Sequence, residues 1–295
     1  MENNRNDLFD CLLQILAVFD SICKQNNLSY MLDGGSLLGA VRHEGFIPWD
    51  DDLDLAMPRS DYNKLIEMGN SVFKYPYFLQ TPVTDPGYFK TFIRVRKSDT
   101  TFIPYKDSVY SMNQGVFVDI FPIDAVPDDN LVFRKQLKRI ELQKWLLRFI
   151  ARIDGKIGSE GLSLSKKIAY YLLVPIKKSG LLNSKTVFAK INSIASCSEN
   201  IETKKMGLII FSGGDKRNIW NREDITKLMD MKFEGRKIPG PVGFDNILTT
   251  TYGEYMTPVK QKSEHGNVVY DVNTPYLDYI ESHKKELHDL WLSTR

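Results

Sequence analysis

Cysteine is scarce in this 295-residue chain: Cys11, Cys23 and Cys197 are the only three, and no CxxC pair occurs. Three thiols cannot build a disulfide framework, so a reduced, cytoplasmic setting is expected. Long apolar runs are also missing. The longest, Ala169–Ile176, falls far short of the roughly 20 residues that a membrane-spanning helix needs. The chain opens on polar Glu2, Asn3 and Asn4 and acidic Asp7, unlike a secretory signal. Neither HExxH nor GxSxG is found, so zincin and serine-hydrolase chemistry have no support. Ser212-Gly213-Gly214-Asp215 is a glycine-rich turn that lacks the GxxxxGK pattern of a P-loop. The sequence shows no internal repeat and no low-complexity tract. Hydrophobic residues at 42% and charged residues at 26% exclude wholesale disorder.

Charge is unevenly placed. Between Leu131 and Lys190 stand 14 Lys/Arg against 3 Asp/Glu, a local excess of +11 in a chain whose net charge is +2. Such a segment is either a set of solvated helix faces or a surface for anionic lipid or a phosphate-rich substrate. Its aromatics (Phe133, Trp145, Phe149, Tyr170, Tyr171) fall among leucines and isoleucines. That is the pattern of helix cores rather than of base-stacking platforms, so no nucleic-acid partner is expected.

Apolar spacing predicts a helix over Leu8–Cys23. Leu28–Leu32 reads as a strand running into a turn at Asp33-Gly34-Gly35, and Ser36 stands at or near the N-cap of a short helix through Val41. Leu53–Met57 reads as a strand ended by Pro58, then a helix capped by Ser60 or Asp61 and running to about Phe73. Tyr88–Lys97 and Thr100–Tyr105 read as paired strands, and Gly115–Phe121 as a strand stopped by Pro122. Helices are expected over Leu131–Ile153, Leu164–Leu173, Ser184–Ile194, Gly243–Tyr252 and Leu277–Leu290. Gly207–Phe211 reads as a brief strand, and Met231–Ile238 as a hairpin arm ended by Pro239-Gly240. The expected fold is α/β (α+β), a small mixed sheet with flanking helices plus a helical subdomain. The expected division is a catalytic core at 1–127, a basic helical subdomain at 128–205, and a C-terminal segment at 206–295 that packs back on the core.

The richest stretch is GGSLLGAVRHEGFIPWDDDLDLAMPRSD, from Gly34 to Asp61. It holds four carboxylates within five residues: Asp50, Asp51, Asp52 and Asp54. If this is a strand, Asp52 and Asp54 share one face and Leu53 and Leu55 the other. Two carboxylates a few Å apart suit a hard divalent cation, which keeps room for phosphate oxygens. The plainer reading is a solvated, Asp-rich turn. Upstream, Gly35-Ser36 opens a helix whose free N–H groups can hold a phosphate. Downstream, Asp119 stands in the otherwise apolar run Val116–Phe121, where a carboxylate is costly unless it faces a cation or a cavity. The plainer reading of Asp119 is an edge-strand residue facing solvent. Taken together, strand, Gly-Ser, helix, DxD strand and a third acid resemble the nucleotidyltransferase superfamily.

GGSLLGAVRHEGFIPWDDDLDLAMPRSDY and GVFVDIFPID (Gly115–Asp124) resemble the signature blocks of the LicD family of phosphotransferases, to which the fukutin-type proteins are more distantly similar. A weaker C-terminal likeness runs from Phe233–Pro239 through Tyr252-Gly253-Glu254-Tyr255-Met256 to His265. The fukutin-type cysteine insertion has no counterpart, so no zinc is implied. Family members move a substituted phosphate, typically phosphocholine, from a cytidine diphosphate carrier to a sugar hydroxyl. The resemblance implies Mg²⁺ (or Mn²⁺) held by Asp52, Asp54 and Asp119, with Asp50 as a further ligand or outer partner. It implies Gly34, Gly35 and Ser36 as donor-phosphate contacts.

Several residues keep two readings. Arg42 and His43 either reach donor phosphates, or Arg42 pairs with an aspartate and His43 serves as an outer partner. Arg94 and Arg96 share a strand face, as pyrophosphate forks or as a solvated surface. His265, in the loop Lys262–Gly266, either lines the site or does not. Trp49 reads as a packing anchor. The expected partners are a CDP-alcohol donor, with CDP-choline favoured, and a glycan or lipid-linked oligosaccharide acceptor, with peripheral contact at the anionic inner face of the membrane. The rival activities are NMP transfer from an NTP to a small hydroxyl compound and a non-catalytic binding module. The intact acids argue against the last.

Overall fold

The computed structural model describes residues 5–155, 157–260 and 265–294. Glu2, Asn3 and Asn4, and Lys262, Ser263 and Glu264 beside His265, lie outside them. In the N-terminal part the elements run α1 (Arg5–Gln25), β1 (Met31–Leu32), α2 (Gly34–His43), β2 (Asp54–Pro58), α3 (Arg59–Met68), β3 (Tyr77–Gln80), β4 (Ile93–Lys97), β5 (Thr101–Pro104) and β6 (Val116–Val126). Three helices follow, α4 (Asn130–Asp154), α5 (Leu164–Lys178) and α6 (Ser184–Ala195). The chain closes with β7 (Lys205–Gly207), α7 (Ile209–Ser212), β8 (Ile219–Asn221), α8 (Arg222–Thr226), β9 (Leu228–Phe233), β10 (Arg236–Pro241), α9 (Phe244–Tyr252), β11 (Val268–Asp271), α10 (Tyr276–Ser282) and α11 (Lys284–Ser293). Among the described residues no helix is long and apolar enough to cross a membrane.

The fold is mixed α/β. Its main sheet runs β1-β2-β6-β4-β3, with β7 beside the end of β6 and β8 beside β7. β2 and β6 are parallel, and the other pairs are antiparallel. α1 lays Leu8, Leu12, Ile15, Leu16 and Phe19 on β6 and β4, all of them buried. Each such side chain contributes about 1.5–3 kcal/mol of transfer free energy. A second core joins α4 and α6 through Ile140, Leu147, Ile150, Val187, Ile191 and Ile194, and takes in Val126 from the end of β6. Across this junction Arg59 donates to Asp124 at 2.6 and 2.7 Å and to Asn192 at 2.6 Å.

The structure departs from the sequence expectations in several places, and each departure has a physical reason. β6 does not stop at Pro122 but continues to Val126. The Asp119 N–H points to β2, where it meets the Leu53 carbonyl, so alternation turns the nitrogen of Pro122 the other way, past Ile120, the last β4 partner. β5 pairs with β11 rather than with β4, whose two edges are taken by β3 and β6. The N-cap of α2 is Asp33, not Ser36. α3 begins directly after Pro58 and stops at Gly69, whose φ of +57° ends the helix before Phe73. Residues 207–211 turn from β7 into α7 instead of forming a strand. Pro239 and Gly240 lie inside β10, and the C-terminal helix is two helices that meet at His283.

Candidate active site

Strand register builds the site. Asp54 of β2 is the partner of Asp119 of β6, and Asp119 is the partner of Arg94 of β4. Register partners on adjacent strands project to the same face, so three charged side chains form a row across three strands. Arg94 Nε donates to Asp119 Oδ1 at 2.5 Å and Nη2 donates to Oδ2 at 3.0 Å. Both residues are buried, and the guanidinium lies 3.6 Å from the Phe117 ring centroid. Burial alone would favour a neutral guanidinium. Asp119, with help from Tyr88, more than offsets this and raises the Arg94 pKa.

Arg96 shares that face and is also buried. It donates to Gln80 Oε1 at 2.7 Å and to the Gly115 carbonyl at 2.6 Å. Burial, then the nearby Arg94, pull its pKa down to about 9. The two arginines are therefore neither a solvated strand surface nor an open fork. One neutralises the strand acid and the other ties strand to turn.

α2 supplies the second wall. Gly34, at φ +51°, is so close to Asp54 that a Cβ there would stand 2.9 Å from Asp54 Oδ2. A Cβ on Gly35 would stand 2.8 Å from Asp50 Oδ2. The two glycines thus admit two carboxylates against the first turn of the helix. Ser36 is buried, and its Oγ accepts from the Asp54 N–H at 2.8 Å, pinning the start of β2 to α2. Asp33 precedes them with its own N–H on the Asp54 carbonyl at 3.1 Å. Its buried carboxyl is pushed up to about 6 by burial, against a bond from the Gly34 N–H. Asp33 was not singled out from the sequence, where it read only as a turn residue.

The acidic run itself is not a strand. β2 begins at Asp54, and Asp50, Asp51 and Asp52 lie in the irregular lead-in, held by the fully buried Leu53. Strand alternation therefore does not govern Asp50, Asp51 and Asp52. Asp51 and Asp52 both approach His265, at 3.4 and 3.6 Å from Nδ1. Ligand atoms of Asp51, Asp52 and His265 all lie within 4.8 Å of one another, a grouping able to hold a cation. His265 is buried and set edge-on to Phe102 and Phe117, with centroids 5.6 and 5.2 Å away. Burial, then Asp54, Asp50, Asp51 and Asp119, hold the Asp52 carboxyl well above the usual range. Burial also raises Asp50. A cluster that resists ionisation in this way gains when a divalent cation neutralises it, so the residues fit the ion that the sequence suggested.

Arg42 and His43 are not drawn into the cluster. They occupy the last turn of α2, about 12 Å along the helix axis from Gly34 at 1.5 Å per residue. Arg42 Nη1 donates to the Tyr255 carbonyl at 3.0 Å, tying α2 to the C-terminal segment. His43 is exposed and meets Trp49 edge-on, with centroids 6.4 Å apart, and Trp49 packs against the main core. Burial, then Arg42, lower the His43 pKa. The β9–β10 turn braces the same region: Phe46 N–H donates to Glu234 Oε1 at 3.0 Å, and Glu234 N–H to the Glu44 carbonyl at 2.8 Å.

Comparison with known proteins agrees with this geometry. Residues 27–147 match the model of the LicD/FKTN/FKRP nucleotidyltransferase domain. The chain is 27% identical over 255 residues to the lipopolysaccharide cholinephosphotransferase LicD of Haemophilus influenzae, covering 83% of this chain and 88% of that protein. Uncharacterized proteins of Rickettsia prowazekii and Rickettsia typhi are each 44% identical over 50 residues, 17% of this chain and 19% and 16% of theirs. Residues 27–147 thus match a LicD-type nucleotidyltransferase domain, and most of the chain is similar to a LicD cholinephosphotransferase.

Proposed function

We propose that the chain transfers a substituted phosphate, most simply phosphocholine, from a CDP-linked donor to a sugar hydroxyl of a cell-surface glycan on the cytoplasmic side of the membrane, releasing CMP. Lipopolysaccharide is the acceptor named for the Haemophilus influenzae relative; teichoic acid and capsule are acceptors of the same chemistry. The observation that carries the reading is the row Asp54–Asp119–Arg94, faced by two glycines that leave room for carboxylates at the start of α2.

Mg²⁺ or Mn²⁺, held by Asp52 and Asp54 with Asp119 adjacent and Asp50 or Asp51 in support, would neutralise the phosphates and acidify the attacking hydroxyl. The first-turn N–H groups of α2 and its dipole favour the same negative charge. The sugar oxygen forms the new bond to phosphorus as the bond to CMP breaks, and its proton passes to a carboxylate of the cluster. Asp119 is less accessible as the acceptor of that proton, because Arg94 occupies both of its oxygens. Its stronger role is to hold fixed negative charge beside Asp54. Arg94 holds that carboxylate in place through two hydrogen bonds, and Ser36 sets the distance between strand and helix.

The test is a donor screen. CDP-choline, CDP-glycerol, CDP-ribitol and the four NTPs are each incubated with the chain and a glycan acceptor, and CMP and pyrophosphate are measured. CMP release from a CDP-alcohol supports the reading. Pyrophosphate release from an NTP would replace it with nucleotidyl transfer.

A further inference from the structure

Helix α5 turns an apolar face to solvent. Leu164, Ile168, Tyr171, Leu172 and Ile176 recur at helical spacing and are 77%, 56%, 64%, 64% and 43% exposed. No residue of α5 is buried. Its other face rests on α4: Ala169, Tyr170, Leu173 and Val174 are half-buried, and Lys177 pairs with Asp154 at 2.8 Å. A helix belonging to an ordinary charged exterior shows the opposite arrangement, with apolar residues inward and charges outward. Leu181, just past the helix, is 81% exposed and extends the apolar area.

The charge carried by α5 itself has one sign. Between Glu160 and Glu199 stand six lysines and no Asp or Glu. At 100° per residue Lys167 and Lys178 fall beside the apolar arc, and both are exposed. Lys177 is turned inward to Asp154. A second copy of the chain is a poor occupant, because symmetric docking would press the lysines of two identical α5 helices together. An anionic bilayer supplies both missing partners: acyl chains for the apolar arc and headgroup phosphates for the lysines.

We propose that α5 is a membrane-docking helix that lies flat on an anionic lipid surface, with Leu164, Ile168, Tyr171, Leu172 and Ile176 at the headgroup–acyl boundary. The proposal uses no residue of the acidic site and stands apart from the transferase reading. Such helices bind reversibly through apolar area plus electrostatic attraction.

The experiment is vesicle sedimentation of the full chain with phosphatidylcholine alone or mixed with phosphatidylglycerol. The chain should pellet only with the mixed vesicles, and less as salt rises. Lys167→Gln and Lys178→Gln should each weaken binding about fivefold. Ile168→Ser with Leu172→Ser should weaken it at least about tenfold. Thermal melts of all variants should match the parent because the altered side chains are exposed, which separates lost docking from lost fold. Ile168→Trp should strengthen binding, since indole favours the interface. Three results would overturn the proposal: no pelleting with either lipid, pelleting indifferent to salt and to these substitutions, or a solution dimer that the two serines dissolve.

Discussion

Gly34 and Asp54 are in such close approach that helix α2 and strand β2 can meet only if residue 34 has no side chain: a Cβ would sit 2.9 Å from Asp54 Oδ2, at a backbone φ of +51°. One contact therefore joins the helix start, the first acid of the strand, and through strand register Asp119 and Arg94.

Gly34→Ala should accordingly cost both stability and activity. Strain at positive φ is of order 1 kcal/mol, and displacement of the Asp54 carboxylate adds to it. A melt shifted down by several degrees, with turnover reduced more than stability predicts, is the expected outcome. A Gly34→Ala chain with parental turnover would show that Asp54 can move without consequence.

Removing one member of the Arg94–Asp119 pair leaves a buried charge without its partner. Asp119→Asn and Arg94→Met should each destabilise by about 3–5 kcal/mol, whereas the double variant should recover part of the loss. Denaturant melts of the four proteins form the cycle. Simple additivity would mean that the two residues are energetically independent despite their 2.5 and 3.0 Å bonds.

Asp52→Asn is expected to behave differently. It relieves like-charge crowding, so thermal stability in chelator should hold or rise, while turnover is abolished. Addition of Mg²⁺ should raise the melting temperature of the parent and leave that of Asp52→Asn nearly unchanged. Equal Mg²⁺-induced shifts in both proteins would remove Asp52 from the cation site.

The pH dependence in chelator follows from burial. The folded pKa of Asp33 is raised from 3.8 to about 6 and that of Asp52 is raised as well, so the folded chain binds protons more tightly than the unfolded chain. The contribution of Asp33 is fully present below 3.8 and is lost as pH rises through about 6. Its size is at most about 3 kcal/mol, at 1.36 kcal/mol per unit. Melts in chelator should therefore show Asp33→Asn gaining on the parent as pH rises from 5 to 7. A constant difference across that window would mean that Asp33 titrates normally.

The sequence by itself determined what one-dimensional pattern can carry. The period of Leu8–Cys23 specified α1, the apolar run around Asp119 specified β6, and Gly-Gly-Ser before four aspartates carried the resemblance to the LicD domain that residues 27–147 match. Only the tertiary structure decided which groups meet. The bonding of Arg94 to Asp119 depends on the register of β4 against β6, which side-chain alternation constrains only to the choice of face. The grouping of Asp51 and Asp52 with His265 spans more than two hundred residues and runs through irregular backbone, where no period exists to be read. Asp33 looked like a turn residue because its burial is imposed by neighbours remote in sequence. The outward face of α5 carries an ordinary amphipathic pattern whose direction depends on how it packs against α4. Local propensity and periodicity are properties of the chain, whereas register, burial and helix orientation are settled by the free energy of long-range packing.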